Sequence, residues 1–312
     1  MLTGAGLLEV VRAGALTTVQ DEGRPGLAHL AVPPSGAADR RSHRLANRLV
    51  GNPEGAATLE TTVDGVSLRC DVDRHVAVTG AVAPITLDGR EVGWCLPVLL
   101  RAGQLLDVGT AAAGVRCYVA VAGGIAVGQV LGSRSTDLLS GLGPPPLSAG
   151  DRLPLGATSG APAPMDAAPY AAPAGALRIE LVLGPRDDWL GRQAVELLGS
   201  ALWRVSPASN RIAVRLEGPP LDLTTSAQLP SEGMVTGAVQ FPPGGHPLVF
   251  LADHPTTGGY PVVAVAGFEG ICQLAQARPG TPISFGLHLP SWGVPSRGAE
   301  GGGVPSRGAE GG

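Results

Sequence analysis

Short runs of β-branched and apolar residues, each cut off after a few positions by Gly, Pro or Asp, limit what this chain can fold into. Residues 76–79, 116–122, 177–183, 211–216 and 247–251 are such runs, and 105–108 and 283–285 add shorter ones. They have the length of strands, and turn residues at this density belong to barrels or sandwiches. A hydrophobic fraction of 44% supplies a well-packed core, and 312 residues are natural for two domains.

Two segments break the pattern. From a capping Ser35 to about Val50, helical spacing places Ala38, Leu45, Ala46 and Leu49 on one face, and Gly51-Asn52-Pro53 stops the helix. A second helix begins near Asp187 or Asp188 and aligns Leu190, Ala194, Leu197, Leu198 and Ala201. Each half therefore reads as many strands with about one helix, a mainly β chain of two similar domains. The expected boundaries are 1–156 and 177–292, joined by an Ala/Pro-rich stretch, 157–176, that reads as a semi-rigid exposed linker. Residues 293–302 repeat identically as 303–312. A tandem decapeptide without apolar periodicity cannot bury a core and reads as a disordered tail.

Charge and composition exclude several functions. A net charge of −4 with scattered arginines argues against nucleic acid as a partner. All 22 basic residues are Arg. Without lysine the chain has no P-loop, no pyridoxal Schiff base and no attachment point for biotin. Cys70, Cys95, Cys117 and Cys272 are scattered, as buried free thiols in a reducing compartment would be. The histidines show no zinc-like spacing, so no metal site is expected. The N-terminus does not read as a signal peptide, and the apolar stretch 117–132 is short and broken by glycines. The reading is of a cytoplasmic protein without membrane association.

Polar residues cluster in a few glycine-rich loops. In Gln20-Asp21-Glu22-Gly23-Arg24, the guanidinium can hold a carboxylate or phosphate while Asp21 or Glu22 activates water or orients Arg24; a charged hairpin turn explains the same residues. Ser35-Gly36-Ala37-Ala38-Asp39 is either a plain helix start or an anion site at a helix N-terminus. Ser133-Arg134-Ser135-Thr136-Asp137 is an ST-turn or a substrate loop. Glu232 caps a turn or acts as a base, and His254 beside Asp253 is an oriented imidazole or an incidental neighbour.

Taken in order, these loops resemble the biotin-dependent carboxyltransferase family, which includes the C subunit of 5-oxoprolinase, the Kip antagonist and allophanate hydrolase subunit 2. The resemblance rests on residues 18–26, 35–39, 46–53, Leu59-Glu60, 121–125, 131–137, Arg211 with 215–218, Gly237 with Gln240, and Thr256-Thr257-Gly258-Gly259-Tyr260-Pro261. It implies tandem cyclophilin-like β-barrel domains, a smaller partner (the B subunit) of the Kip-inhibitor type, and a third subunit with which the pair opens 5-oxoproline to glutamate using ATP. It implies as well that Gln20, Arg24, Ser35, Asp39, Ser135, Thr136, Gln240, Asp253 and Thr256 to Gly259 bind substrate. Asp21 and Glu232 then activate water, and the Gly258 and Gly259 N–H groups with Thr257 and Tyr260 stabilise developing negative charge. Two alternatives stay open: a regulatory antagonist of a kinase-inhibitor-like partner, and the carboxyltransferase component of a urea carboxylase supplied with biotin by another chain. His254-Pro255 stands where many relatives read Arg-Gln, Asn210 stands where Asp is usual, and residues 286–293 with the tail replace the family's closing strand.

Overall fold

Strand Leu177–Leu183 alternates buried Leu177, Ile179 and Leu181 with exposed neighbours, the period-two pattern of a strand with one face on a core. In the computed structural model, which describes residues 6–164, 170–224 and 229–289, this strand belongs to a closed barrel. The ring runs Leu177–Leu183, Val262–Ala266, Ala238–Gln240, Leu248–Phe250, Ala213–Glu217, Trp203–Val205 and Pro282–His288. Pro282–His288 then returns parallel to Leu177–Leu183, from Leu177↔Ile283 to Val182↔His288, and removes the sheet edge. A closing strand is thus present, built from residues 282–288. Trp203, Phe241 and Phe285 fill the interior. Gly218 is fixed by that filling, because a Cβ there would stand 2.6 Å from the Trp203 ring. The repeated decapeptide lies outside the described residues.

The first half wraps a second core between two sheets. One has six strands, in the order Arg152–Pro154, Leu7–Arg12, Ser67–Cys70, Leu105–Val108, Ile85–Leu87 and Arg90–Glu91. The other has five: Thr17–Gln20, Thr58–Thr61, Ala113–Val121, Arg74–Val82 and Val98–Leu100. Ala113–Val121 is buried along nearly its whole length because both faces of its sheet are covered. Cys117, Val119 and Val121 point into the inter-sheet core, whereas Tyr118 and Ala120 meet the helix α1, Arg40–Leu49. The chain is mainly β, as its strand pattern predicts, and all four cysteines are free and buried.

Two expectations need correction. The cap of α1 is Asp39, which accepts from the Ser42 N–H at 3.1 Å, and not Ser35. The Ala37 and Ala38 N–H groups are instead held by the Asp21 carbonyl and the Glu60 carboxylate, keeping this segment out of the helix. Among its described residues the second half contains two helices after a 3-10 turn at Asp187–Trp189: α2, Arg192–Ser200, and α3, Phe268–Ala275. The interior Gly270 of α3 hides its helical pattern. The segment joining the halves is largely exposed along its described residues and is anchored in places. Ala163 donates its N–H to the Leu49 carbonyl at 2.9 Å. The Tyr170 hydroxyl lies 2.5 Å from Ser42 Oγ, and its ring packs edge-on against Trp94.

Polar side chains lock the two halves together. Just past α3, the Gln276 amide enters the irregularity in the pairing of Ala113–Val121 with Arg74–Val82. Its Oε1 accepts from the Val115 and Arg116 N–H groups, and its Nε2 donates to the Arg116 carbonyl and to Asp39. Arg278 reaches the Gly114 carbonyl at 2.7 Å, and Arg116 reaches back to the Ala275 carbonyl. Among the described residues no helix is long and apolar enough to cross a membrane.

Candidate functional site

The site builds outward from Arg211, which the second half contributes to the junction. Its Nε and Nη2 form a fork on Asp253 at 2.9 Å each, Nη2 also donates to the Gly36 carbonyl at 2.7 Å, and Nη1 donates to Glu60 of the first half. Glu60 further accepts from the Ala38 N–H and from the Tyr118 hydroxyl at 2.8 Å, and Arg116 stands 3.4 Å away. Burial alone would raise the Glu60 pKa. The charges of Arg211 and Arg116, with these hydrogen bonds, overcome that and hold it below the ordinary carboxylate value. Burial likewise lowers and its two carboxylates raise the Arg211 pKa, and the net direction is up.

Around this clamp lie most of the loop residues that the sequence singles out. Ser35 is buried with φ near 51°, its hydroxyl 2.9 Å from Asp253 and 3.1 Å from the Thr136 carbonyl. Its glycine neighbours are needed there: a Cβ on Gly23 (φ +81°) would sit 2.4 Å from the Pro34 carbonyl, and one on Gly36 (φ +95°) would sit 2.8 Å from the Gly23 nitrogen. Gln20 donates to Thr18 and to the Thr136 carbonyl. The Asp21 carboxylate accepts from the Gly23 and Arg134 N–H groups and from the Ser133 and Ser135 hydroxyls. Four donors nearly fill its capacity, so it organises the loop and is poorly placed to activate water. Glu22 does not orient Arg24. It pairs with Arg44 through two bonds of 2.8 Å, which outweigh the effect of burial and lower its pKa. Asp39 is occupied as the α1 cap and by Gln276.

The remaining predicted residues sit on a small ribbon of the second half, where Glu232 pairs with Gly258 and Gly233 with Thr257. Glu232 forms an ion pair with Arg186, a partner that sequence spacing does not reveal. Gln240 donates to the Tyr260 carbonyl at 2.8 Å. Gly259 and Tyr260 border a cavity of about 920 Å³ lined mainly by Trp189, Phe241 and prolines, with Asp222 its one charged wall among the described residues. Chemistry converges instead on a smaller groove, about 300 Å³, between the two halves. Arg24 and Arg40 line it from the first half, Met234, His254 and Thr256 from the second, and none of its described lining residues is acidic. The structure thus divides the predicted set: Arg24 and Thr256 reach the groove, Gly259 and Tyr260 reach the larger cavity, and Asp21, Ser35 and Asp253 form the scaffold behind.

Residues 30–287 match the family described as the carboxyltransferase domain, subdomains A and B. The chain is 39% identical over 284 residues to the C subunit of 5-oxoprolinase from Escherichia coli (strain K12), covering 89% of this chain and 90% of that protein. The crystal structure of TTHA0988 superposes with a TM-score of 0.83 at 37% identity, over 91% of this chain and 56% of that one. The Kluyveromyces lactis urea amidolyase superposes with a TM-score of 0.83 at 32% identity, over 91% of this chain and 19% of that one. This chain therefore spans just over half of the first solved relative and about a fifth of the second. With the junction loops, the barrel and the sequence match in agreement, the chain belongs to the carboxyltransferase-domain family, subdomains A and B, that includes the C subunit of 5-oxoprolinase.

Proposed function

We propose that this chain is the C subunit of a heteromeric, ATP-dependent 5-oxoprolinase that opens 5-oxo-L-proline to L-glutamate. The observation that carries this reading is end-to-end similarity: the match to the C subunit of the Escherichia coli 5-oxoprolinase spans 90% of that protein. The urea amidolyase of Lachancea kluyveri is matched over 17% of its length. A junction groove lined by two arginines and no described acid also suits a substrate that carries a carboxylate. In this reading the chain works with a smaller, Kip-inhibitor-like B subunit and a third subunit, and ATP is a co-substrate of the complex. The exposed Thr257 and Gly259, with Tyr260 at 47% exposure, leave this ribbon open to substrate or to a partner protein.

A second reading draws on the urea amidolyase superposition: the chain is the carboxyltransferase component of a urea carboxylase. It requires biotin carried outside these 312 residues, because they contain no lysine. Co-expression with the candidate partner subunits and an assay of ATP-dependent glutamate release from 5-oxoproline separates the two. The proposal expects release that depends on this chain. Equal release when the chain is omitted contradicts it, and carboxylation of urea in the presence of a biotin carrier supports the second reading.

A further inference from the structure

Arg24 and Arg40 differ from most arginines near the junction in having no carboxylate partner among the described residues. Arg24 is 2% exposed, and its guanidinium donates only to the carbonyls of Val130 and Ser135, leaving Nη1 without a hydrogen-bond partner. Arg40 makes one long bond, 3.3 Å, to the Glu22 carbonyl. The acids nearest Arg24 are engaged elsewhere. Asp21 is held by four donors, Asp253 by Arg211, and Asp137 by the N–H groups of Leu139 and Ser140 and the Ser140 hydroxyl. Burying a guanidinium nitrogen without a partner is costly. Two arginines lining one groove of about 300 Å³ without a described acid make a site that favours an anion.

His254 adds direction. It is 3% exposed and lines the same groove, and its Nδ1 lies 2.8 Å from the Pro255 carbonyl. A carbonyl only accepts, so Nδ1 carries the proton and Nε2 is left as an acceptor. Burial favours the neutral ring, lowering its pKa against the opposing effects of the Pro255 bond and the Asp253 and Asp137 charges. The groove thus combines two cationic donors with one neutral acceptor.

We propose that the groove is a binding site for a small carboxylate that also bears an amide N–H, with the carboxylate on Arg24 and Arg40 and the N–H donated to Nε2 of His254. 5-Oxoproline is such a molecule, so the inference deepens the reading given above and rests on it for the identity of the ligand. His254 is then a specificity residue: it distinguishes a lactam N–H from an N-substituted analogue.

Calorimetric titration of the full chain with 5-oxo-L-proline and with N-methyl-5-oxoproline tests this directly. The wild-type chain is expected to bind the N-methyl compound about tenfold more weakly, the effect of one lost hydrogen bond. His254→Leu should abolish that difference, and His254→Gln, which keeps an acceptor, should restore part of it. Arg40→Gln, at a half-buried position outside the ion-pair scaffold, should weaken both ligands about tenfold while the melting temperature holds. An N-methyl difference that persists in His254→Leu overturns the role of His254. Affinity unchanged in Arg40→Gln, or no saturable binding to the wild-type chain, overturns the site. These results are separable from turnover of the assembled complex, which can depend on this chain whether or not the groove holds the substrate.

Discussion

Arg211 and Glu60, 151 residues apart and from opposite halves of the chain, form an ion pair in which both side chains are almost wholly buried. Asp253 closes the other side of the guanidinium. Removing a charge from such an arrangement strands its partners, and the cost exceeds what the intact pair contributes. Arg211→Ala should therefore destabilise the protein by about 3–5 kcal/mol. Urea unfolding measures it. In a double-mutant cycle the pair Arg211→Met and Glu60→Gln should cost less than the sum of the single changes, because together they remove both charges.

The Gln276 amide makes a separate prediction. It satisfies two backbone N–H groups of the first half and donates to a carbonyl and to the Asp39 cap. Gln276→Leu leaves these groups buried without partners, at about 1–3 kcal/mol for each unsatisfied group. The two stranded N–H groups alone imply a loss of about 2–6 kcal/mol by thermal or urea unfolding, with the first half loosened most in amide hydrogen exchange. Exchange that is unchanged over residues 113–121 would show that other contacts hold this strand.

Acid should act in two steps. Burial lowers the pKa of His43, whose Nδ1 lies 2.9 Å from Thr58 Oγ1. Its folded value lies below its unfolded one of about 6.5, so on acidification the unfolded chain takes the proton first. Stability is at its full value above about pH 6.5 and declines below it. Glu60 also has a depressed folded pKa. Its contribution is present above its unfolded value of about 4.3 and is lost as pH falls from there through the folded value. His43→Gln should flatten the upper step and leave the lower one, as read from unfolding free energies between pH 3 and 8.

Much of this was legible in the sequence because the strands carry local signals. The alternation in Leu177–Leu183 marks a strand with one buried face, and the glycines around residues 20–26 and 35–39 mark backbone with positive φ. The helix Phe268–Ala275 was not legible, since Gly270 interrupts its pattern and it is buried from two sides, against strand Leu177–Leu183 of its own half and against α1 of the other. The site was legible as a set of loops but not as roles. Asp21 looks like a free acid until Ser133, Ser135 and the Arg134 N–H fold onto it from more than a hundred residues away. The same distance effect turns Glu60 and Arg211 into a clamp, and it brings His254 to a groove shared with Arg24 and Arg40.

If substrate binds in the groove between the halves, steady-state kinetics of the reconstituted complex with Arg40→Gln should register it. A carboxylate contact made in both ground and transition states should appear as a KM for 5-oxoproline raised about tenfold, with kcat little changed and the subunits still eluting as one complex. A KM equal to wild type in an intact complex would place the substrate elsewhere.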